Sequence, residues 1–180
     1  MDYSLDTPFK TYCEIQDAIY SRTAILSYNR SSAYNIACRI HPICVISNLL
    51  VPVTSLIMMF IACIFFEVSK WFLLFGIAVL VLHPLVDHLK GLFVLISLLL
   101  IVIPLLIGNT MWLFVIGTGM LGMLIGNYIW WGIISGTASR ALLTDESLFQ
   151  SVWCSRGVAL KTKYPRDGFY FYHGENGANS

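Results

Sequence analysis

"MWLFVIGTGMLGMLIGNYIWWGII", Met111 to Ile134, decides how this chain is read. It contains a literal G-x-G-x-x-G at Gly117, Gly119 and Gly122, the spacing of a dinucleotide-binding loop. An acidic pair, Asp145 and Glu146, follows at about the distance of a ribose-binding carboxylate. Such a loop needs a strand ending before the first glycine and a helix starting in water, its amides turned to a pyrophosphate. Here both flanks stay apolar for more than a turn, and the whole stretch is long enough for one membrane crossing, about 20 residues. Gly122 and Gly126 stand i,i+4, as do Gly132 and Gly136, so both pairs read as G-x-x-x-G, which lets helix backbones approach closely in lipid. Gly117, Gly119, Gly122, Gly126, Gly132 and Gly136 are therefore expected at helix contacts, with no cofactor among them.

The surroundings agree. Gly91 to Ser139 carries no Asp, Glu, Lys, Arg or His, a run long enough for two crossings. The chain as a whole is 57% hydrophobic and 12% charged, where soluble domains carry about 25% charged residues. With a mean hydropathy of +0.74, that surplus of apolar side chains is too large for one soluble core of 180 residues. A net charge of +1 without a basic stripe gives no reason to expect nucleic acid. The opening "MDYSLDTPFK" is acidic and broken by Pro8, unlike a secretory signal or a transit peptide. Five cysteines without a C-x-x-C pair argue against a disulfide scaffold.

Four spans fit this pattern: about 43–66, 71–86, 91–107 and 111–134. "EVSK" (Glu67 to Lys70), "DHLKG" (Asp87 to Gly91) and "GNT" (Gly108 to Thr110) separate them. Gly108 suits a helix C-terminus, and Asn109 or Thr110 an N-cap. Connections this short give antiparallel neighbours. The expected fold is an all-α integral membrane four-helix bundle of two short-loop hairpins. Spans two and three sit at the lower limit of length and either cross fully or are re-entrant. Pro52 is expected to kink the first span.

Lys10, Arg22, Arg30 and Arg39 precede the spans, and Arg140, Arg156, Lys161, Lys163 and Arg166 follow them. The positive-inside rule then places both termini in the cytoplasm, of a plasma or bacterial inner membrane. Trp71 and Trp112 fall at the outer interface, and Tyr128, Trp130 and Trp131 at the inner one. The flanking segments, 1–42 and 137–180, are expected to carry amphipathic helices around the membrane domain 43–136. The first has a stripe of Tyr12, Ile15, Ile19 and Leu26. The second has Leu148, Phe149, Val152 and Trp153, with Thr144 as N-cap and Arg156-Gly157 as its stop.

Chemistry has few places to reside. His83 and Asp87 share a helix face, while His88 points about 100° away, which suits three-fold metal ligation poorly. They mark either a polar transport site or the solvated end of a hairpin. Asn48 and Asn127 are polar groups inside spans, and Asn127 beside Gly126 suits a helix contact. No G-x-S-x-G or comparable nucleophile arrangement is present, and no catalytic, cofactor or metal residue is assigned. Function is expected to be that of a non-catalytic assembly subunit whose partners are the bilayer and other membrane subunits or a second copy of itself. The alternatives are a small transporter or channel subunit using His83 and Asp87, and a membrane-shaping hairpin protein.

Overall fold

The computed structural model describes residues 8–67, 90–108, 110–162 and 170–173. The expected second span, with Trp71, His83, Pro84, Asp87 and His88, lies outside the described residues. The chain is mostly helical, and its contacts divide it into two units. One comprises Met1–Cys44 with Ile133–Ser180, and the other Val45–Gly132.

The first unit begins at Thr11, whose hydroxyl accepts from Glu14 N at 3.3 Å, while the Glu14 carboxylate accepts from Lys10 N at 2.7 Å. This reciprocal capping starts α1 (Tyr12–Tyr20). The helix ends where Arg22 adopts a φ of 60°, and the chain turns into β1 (Ala24–Tyr28). The expected helical stripe through Leu26 is therefore corrected. Tyr12 and Ile15 are buried on α1, but Leu26 belongs to a strand in which Ala24 and Leu26 are buried and Ile25 between them is exposed. That period of two is the mark of a half-buried strand.

β1 pairs antiparallel with β2 (Val158–Thr162), which pairs antiparallel with β3 (Tyr170–His173), in the order β1-β2-β3. Leu160 stands opposite both Leu26 and Tyr172. The all-α expectation is corrected here: this three-stranded sheet joins the two ends of the sequence. Its strands are four and five residues long, so none leaves a long periodic trace. Between β1 and the apolar stretch stand α2 (Arg30–Ile40) and α3 (Ile43–Ser47).

α4 (Leu50–Phe65) opens the second unit's main helices. The first span is interrupted near its start, between Ser47 and Leu50, just ahead of Pro52. Pro52 stands in the first turn, where the missing N–H would have no partner, and its ring excludes a continuous helix through the carbonyl of Asn48, four residues back. The chain turns at Asn48 and Leu49 accordingly. α5 (Lys90–Ile107) ends at Gly108, which has a φ of 78° and donates to Pro104 O at 2.8 Å.

α6 (Met111–Thr144) is 34 residues long, about 51 Å at 1.5 Å per residue. It passes well beyond the expected end at Ile134, because "SGTASRALL" becomes less apolar without containing a proline. A drop in hydropathy ends a membrane stretch and not a helix. Thr110 precedes α6, but its hydroxyl makes no hydrogen bond. Thr144 closes α6 instead of capping the next helix, and the expected cap is corrected to Asp145. The Asp145 carboxylate accepts from Ser147 N at 2.9 Å and Leu148 N at 3.1 Å, starting α7 (Glu146–Cys154).

Two helical stretches are long and apolar enough to cross a membrane, Ile43–Phe65 and Met111–Thr144. Gly91–Ile107 is a shorter apolar helix.

Candidate functional site: a glycine and hydroxyl seam

In the unit Val45–Gly132, the buried positions of α4 are Val51, Ser55, Met59, Ala62 and Cys63, a stripe at helical spacing. On α5 the buried positions include Phe93 and Ser97. The large apolar residues point the other way: Ile57, Phe60, Ile64 and Phe65 of α4, and Leu95, Leu98, Leu99 and Leu106 of α5, are exposed. The buried positions of these two helices mix small and polar groups with Val51, Met59 and Phe93, while most of their large apolar side chains face outward, an order favoured where the surrounding solvent is lipid.

α6 supplies the glycines. A Cβ at Gly122 would stand 2.8 Å from both Ser55 Cα and Thr54 O, and one at Gly126 would stand 2.8 Å from Val51 Cα and meet Thr54 Oγ1. At Gly119 it would meet Met59 Cγ at 2.6 Å. Gly117 faces a different helix, with Leu100 Cβ of α5 at 2.9 Å. Only residues without a side chain let α6 lie this close to both neighbours. Gly132 and Gly136 differ, since a Cβ there would meet no atom of the described residues within 4 Å.

Hydroxyls bind the same seam. Ser55 Oγ donates to Gly119 O at 2.8 Å, and Ser97 Oγ donates to Gly117 O at 3.0 Å. Thr54 Oγ1 lies 2.9 Å from Gly122 O, with Leu50 O and Val51 O of its own helix at 2.8 and 3.0 Å. Its single proton is thus shared between a bond within α4 and a bond to α6. Ser55 and Ser97 are fully buried, and Thr118 and Asn127 are buried on α6. Thr118 returns its hydroxyl to Val115 O of its own helix at 2.8 Å.

Thr54, Ser55 and Ser97 were not singled out by the sequence reading. The available signal was their position: each is a small hydroxyl within a run of large apolar residues, in register with the buried face of its helix. Gly117, Gly119 and Gly122 lie well inside a continuous helix, so their amides donate within α6 and none is turned outward as a phosphate cradle requires. His83, Asp87 and His88 lie outside the described residues. Among the described residues no group of three or more His, Cys, Asp or Glu is placed to hold a metal, and none of the five cysteines is in a disulfide.

The other unit has a different interior. Phe149 packs between Tyr12, with ring centroids 5.4 Å apart, and Trp153, at 5.6 Å and nearly parallel. Ile15, Leu142 and Leu160 complete a fully buried cluster. Two side chains of α1 close the C-terminal end of α6: Tyr12 Oη donates to Leu142 O at 2.5 Å, and Gln16 Nε2 to Leu143 O at 2.6 Å. These carbonyls belong to the last turn and have no partner within their own helix. Tyr28 Oη and Ser139 Oγ share a hydrogen bond of 2.6 Å. Burial pushes the Tyr28 phenol up to about 12, partly offset by Ser139. Hydrogen bonding from Ser147 and Leu148 holds the Asp145 carboxyl below its usual range.

Compared with protein-family models, characterised proteins and solved structures, the chain shows no match.

Proposed function

We propose that this protein is a non-catalytic, multi-pass membrane subunit that assembles with other membrane proteins or with a second copy of itself. The observation that carries the reading is the seam: its glycines and hydroxyls are spent on the carbonyls and backbones of neighbouring helices, which is a positioning role. The membrane setting is supported by the stretch Ile43–Phe65, in whose most apolar window only 28% of the residues are buried, whereas the core helix of a soluble protein is mostly buried. With the apolar run of sequence between residues 71 and 86, four spans would place both Lys/Arg-rich ends in the cytoplasm. A plasma or bacterial inner membrane suits that arrangement.

The seam also redirects the assembly surface. Gly117, Gly119, Gly122 and Gly126 are occupied by helices of the same chain, so contacts with partners fall on the outward apolar faces of α4 and α5. The test is a photo-crosslinking residue placed at Leu95, Leu99 or Leu106 in the full chain, in its native membrane. Protein adducts from one face of α5 are expected. Lipid adducts alone from all three positions would overturn the assembly role.

A further inference from the structure

We propose that the groove between α2 and α7 binds the phosphate of an anionic phospholipid headgroup. The groove has a volume of about 280 Å³. That is at the small end of ligand clefts, about 300–1,000 Å³, and suits a headgroup better than a partner helix. Its walls are single helix faces. On α2, Ser32, Asn35 and Arg39 recur at i, i+3 and i+7, with Ile36 and Ile40 beside them. On the other wall, Ser151 of α7 and Ser155 at its C-cap recur at i and i+4, with Leu148 and Val152 beside them. The result is an apolar strip bordered by hydrogen-bond donors.

The charge of the groove selects an anion. Among the described residues Arg39 is its one lining cation, and no carboxylate lines it. Among the described residues no ion pair or side-chain hydrogen bond engages the Arg39 guanidinium, the Asn35 amide, or the hydroxyls of Ser32 and Ser151. A guanidinium fork with adjacent hydroxyl and amide donors matches the oxygens of a phosphate. Ile40 is exposed at the end of the groove, and the apolar stretch Ile43–Phe65 begins three residues later. On the membrane reading proposed above, on which this inference rests, Arg39 stands where that span leaves the bilayer, the level at which basic pockets meet lipid headgroups. The apolar strip toward Ile40 would receive the first carbons of the lipid, which a free phosphate ion lacks.

The experiment uses the full chain in mild detergent, titrated with dioctanoyl phosphatidic acid, dioctanoyl phosphatidylcholine and inorganic phosphate, with binding read by native mass spectrometry. The acidic lipid should bind more tightly than the zwitterionic one, and R39Q should weaken it about five-fold. R39K, which keeps the charge but loses the fork, should weaken it less than R39Q does. Arg39 is exposed, so an unchanged melting temperature will show that R39Q is folded. Equal binding of the two lipids, or an R39Q affinity equal to the native one, would overturn the site. Inorganic phosphate binding as tightly as the acidic lipid would overturn the lipid as its source.

Discussion

The two units of this chain are built on opposite plans. In Val45–Gly132, glycine, serine and threonine make the closest contacts between helices, Val51, Met59 and Phe93 are buried as well, and most leucines and isoleucines of α4 and α5 face outward. In the unit formed by the two ends, Tyr12, Ile15, Phe149, Trp153 and Leu160 fill the interior, while Glu14, Asp17, Asp145 and Glu146 lie outside. Where the surroundings are lipid, as proposed, the first plan gains nothing from hiding apolar surface, because lipid is as apolar as leucine. It must gain from close approach and hydrogen bonds. The second gains mainly from removing apolar area from water. The same chain therefore responds to two different kinds of damage.

The largest effect should come from removing the central ring of the unit formed by the two ends. Phe149 is fully buried between two aromatic partners, so Phe149→Ala creates a cavity and loses both ring contacts. A loss of about 3–5 kcal/mol is expected. It should appear as early proteolysis of the terminal segments, with the seam helices still protected in detergent. Simultaneous loss of both would mean that the two plans are not separable.

Gly122→Leu is the matching damage to the seam. The new side chain would collide with backbone atoms of α4 at Thr54 and Ser55, which cannot swing aside as a side-chain tip can. Overpacking of this kind costs about 3 kcal/mol. The protein should melt early in detergent even as a monomer, because the neighbour is its own α4. Gly136→Leu, where a Cβ meets no described atom, is the control and should leave the melting temperature near the native one. If Gly122→Leu altered only oligomer mass and not melting, the intrachain seam would be wrong.

Alkaline pH separates the units through Tyr28. Its folded value of about 12 lies above the ordinary 10.0, so the folded state holds the phenolic proton more firmly than the unfolded one. The associated stability is fully present below pH 10 and is lost as pH rises toward 12. Two pKa steps correspond to about 2 kcal/mol after allowance for residual solvent screening. A plot of melting temperature against pH should flatten between 10 and 12 in Tyr28→Phe relative to the native chain. Parallel plots would show that the phenol lies in water.

How much of this could be read beforehand depended on range. The limits of the apolar stretches followed from local residues: Ile43 and Phe65 from the flanking polar groups, and Gly108 from its position after Ile107. The sheet did not, because "AILSY" at 24–28 is as apolar in a helical window as in a strand, and its partner strand starts at Val158. The glycines of α6 were visible as a place where something comes close, but not what does. Gly117 meets α5 while Gly119 meets α4, although they stand two residues apart. That assignment depends on the rotation of three helices about their axes, which their nearly uniform apolarity leaves unmarked. The hydroxyls of Thr54, Ser55 and Ser97 would have marked it, had small polar residues been weighted above ionisable ones.

The smallest expected effect bears most directly on how the seam is held. Ser55→Ala keeps the shape of α4 and removes one fully buried hydroxyl that donates to Gly119 O. That carbonyl already accepts within α6, so the change leaves it with one partner instead of none. The loss should be near the typical value for a bond between helices in membranes, about 0.6 kcal/mol. The double variant of Ser55→Ala with Ser97→Ala should lose about twice as much, since the two serines bind α6 from different helices, α4 and α5, and share no acceptor. Additive losses would identify the seam as two independent contacts around one glycine-rich helix. A double loss far larger than the sum would mean that α4 and α5 hold each other in place through α6, and the helix would then act as a shared template.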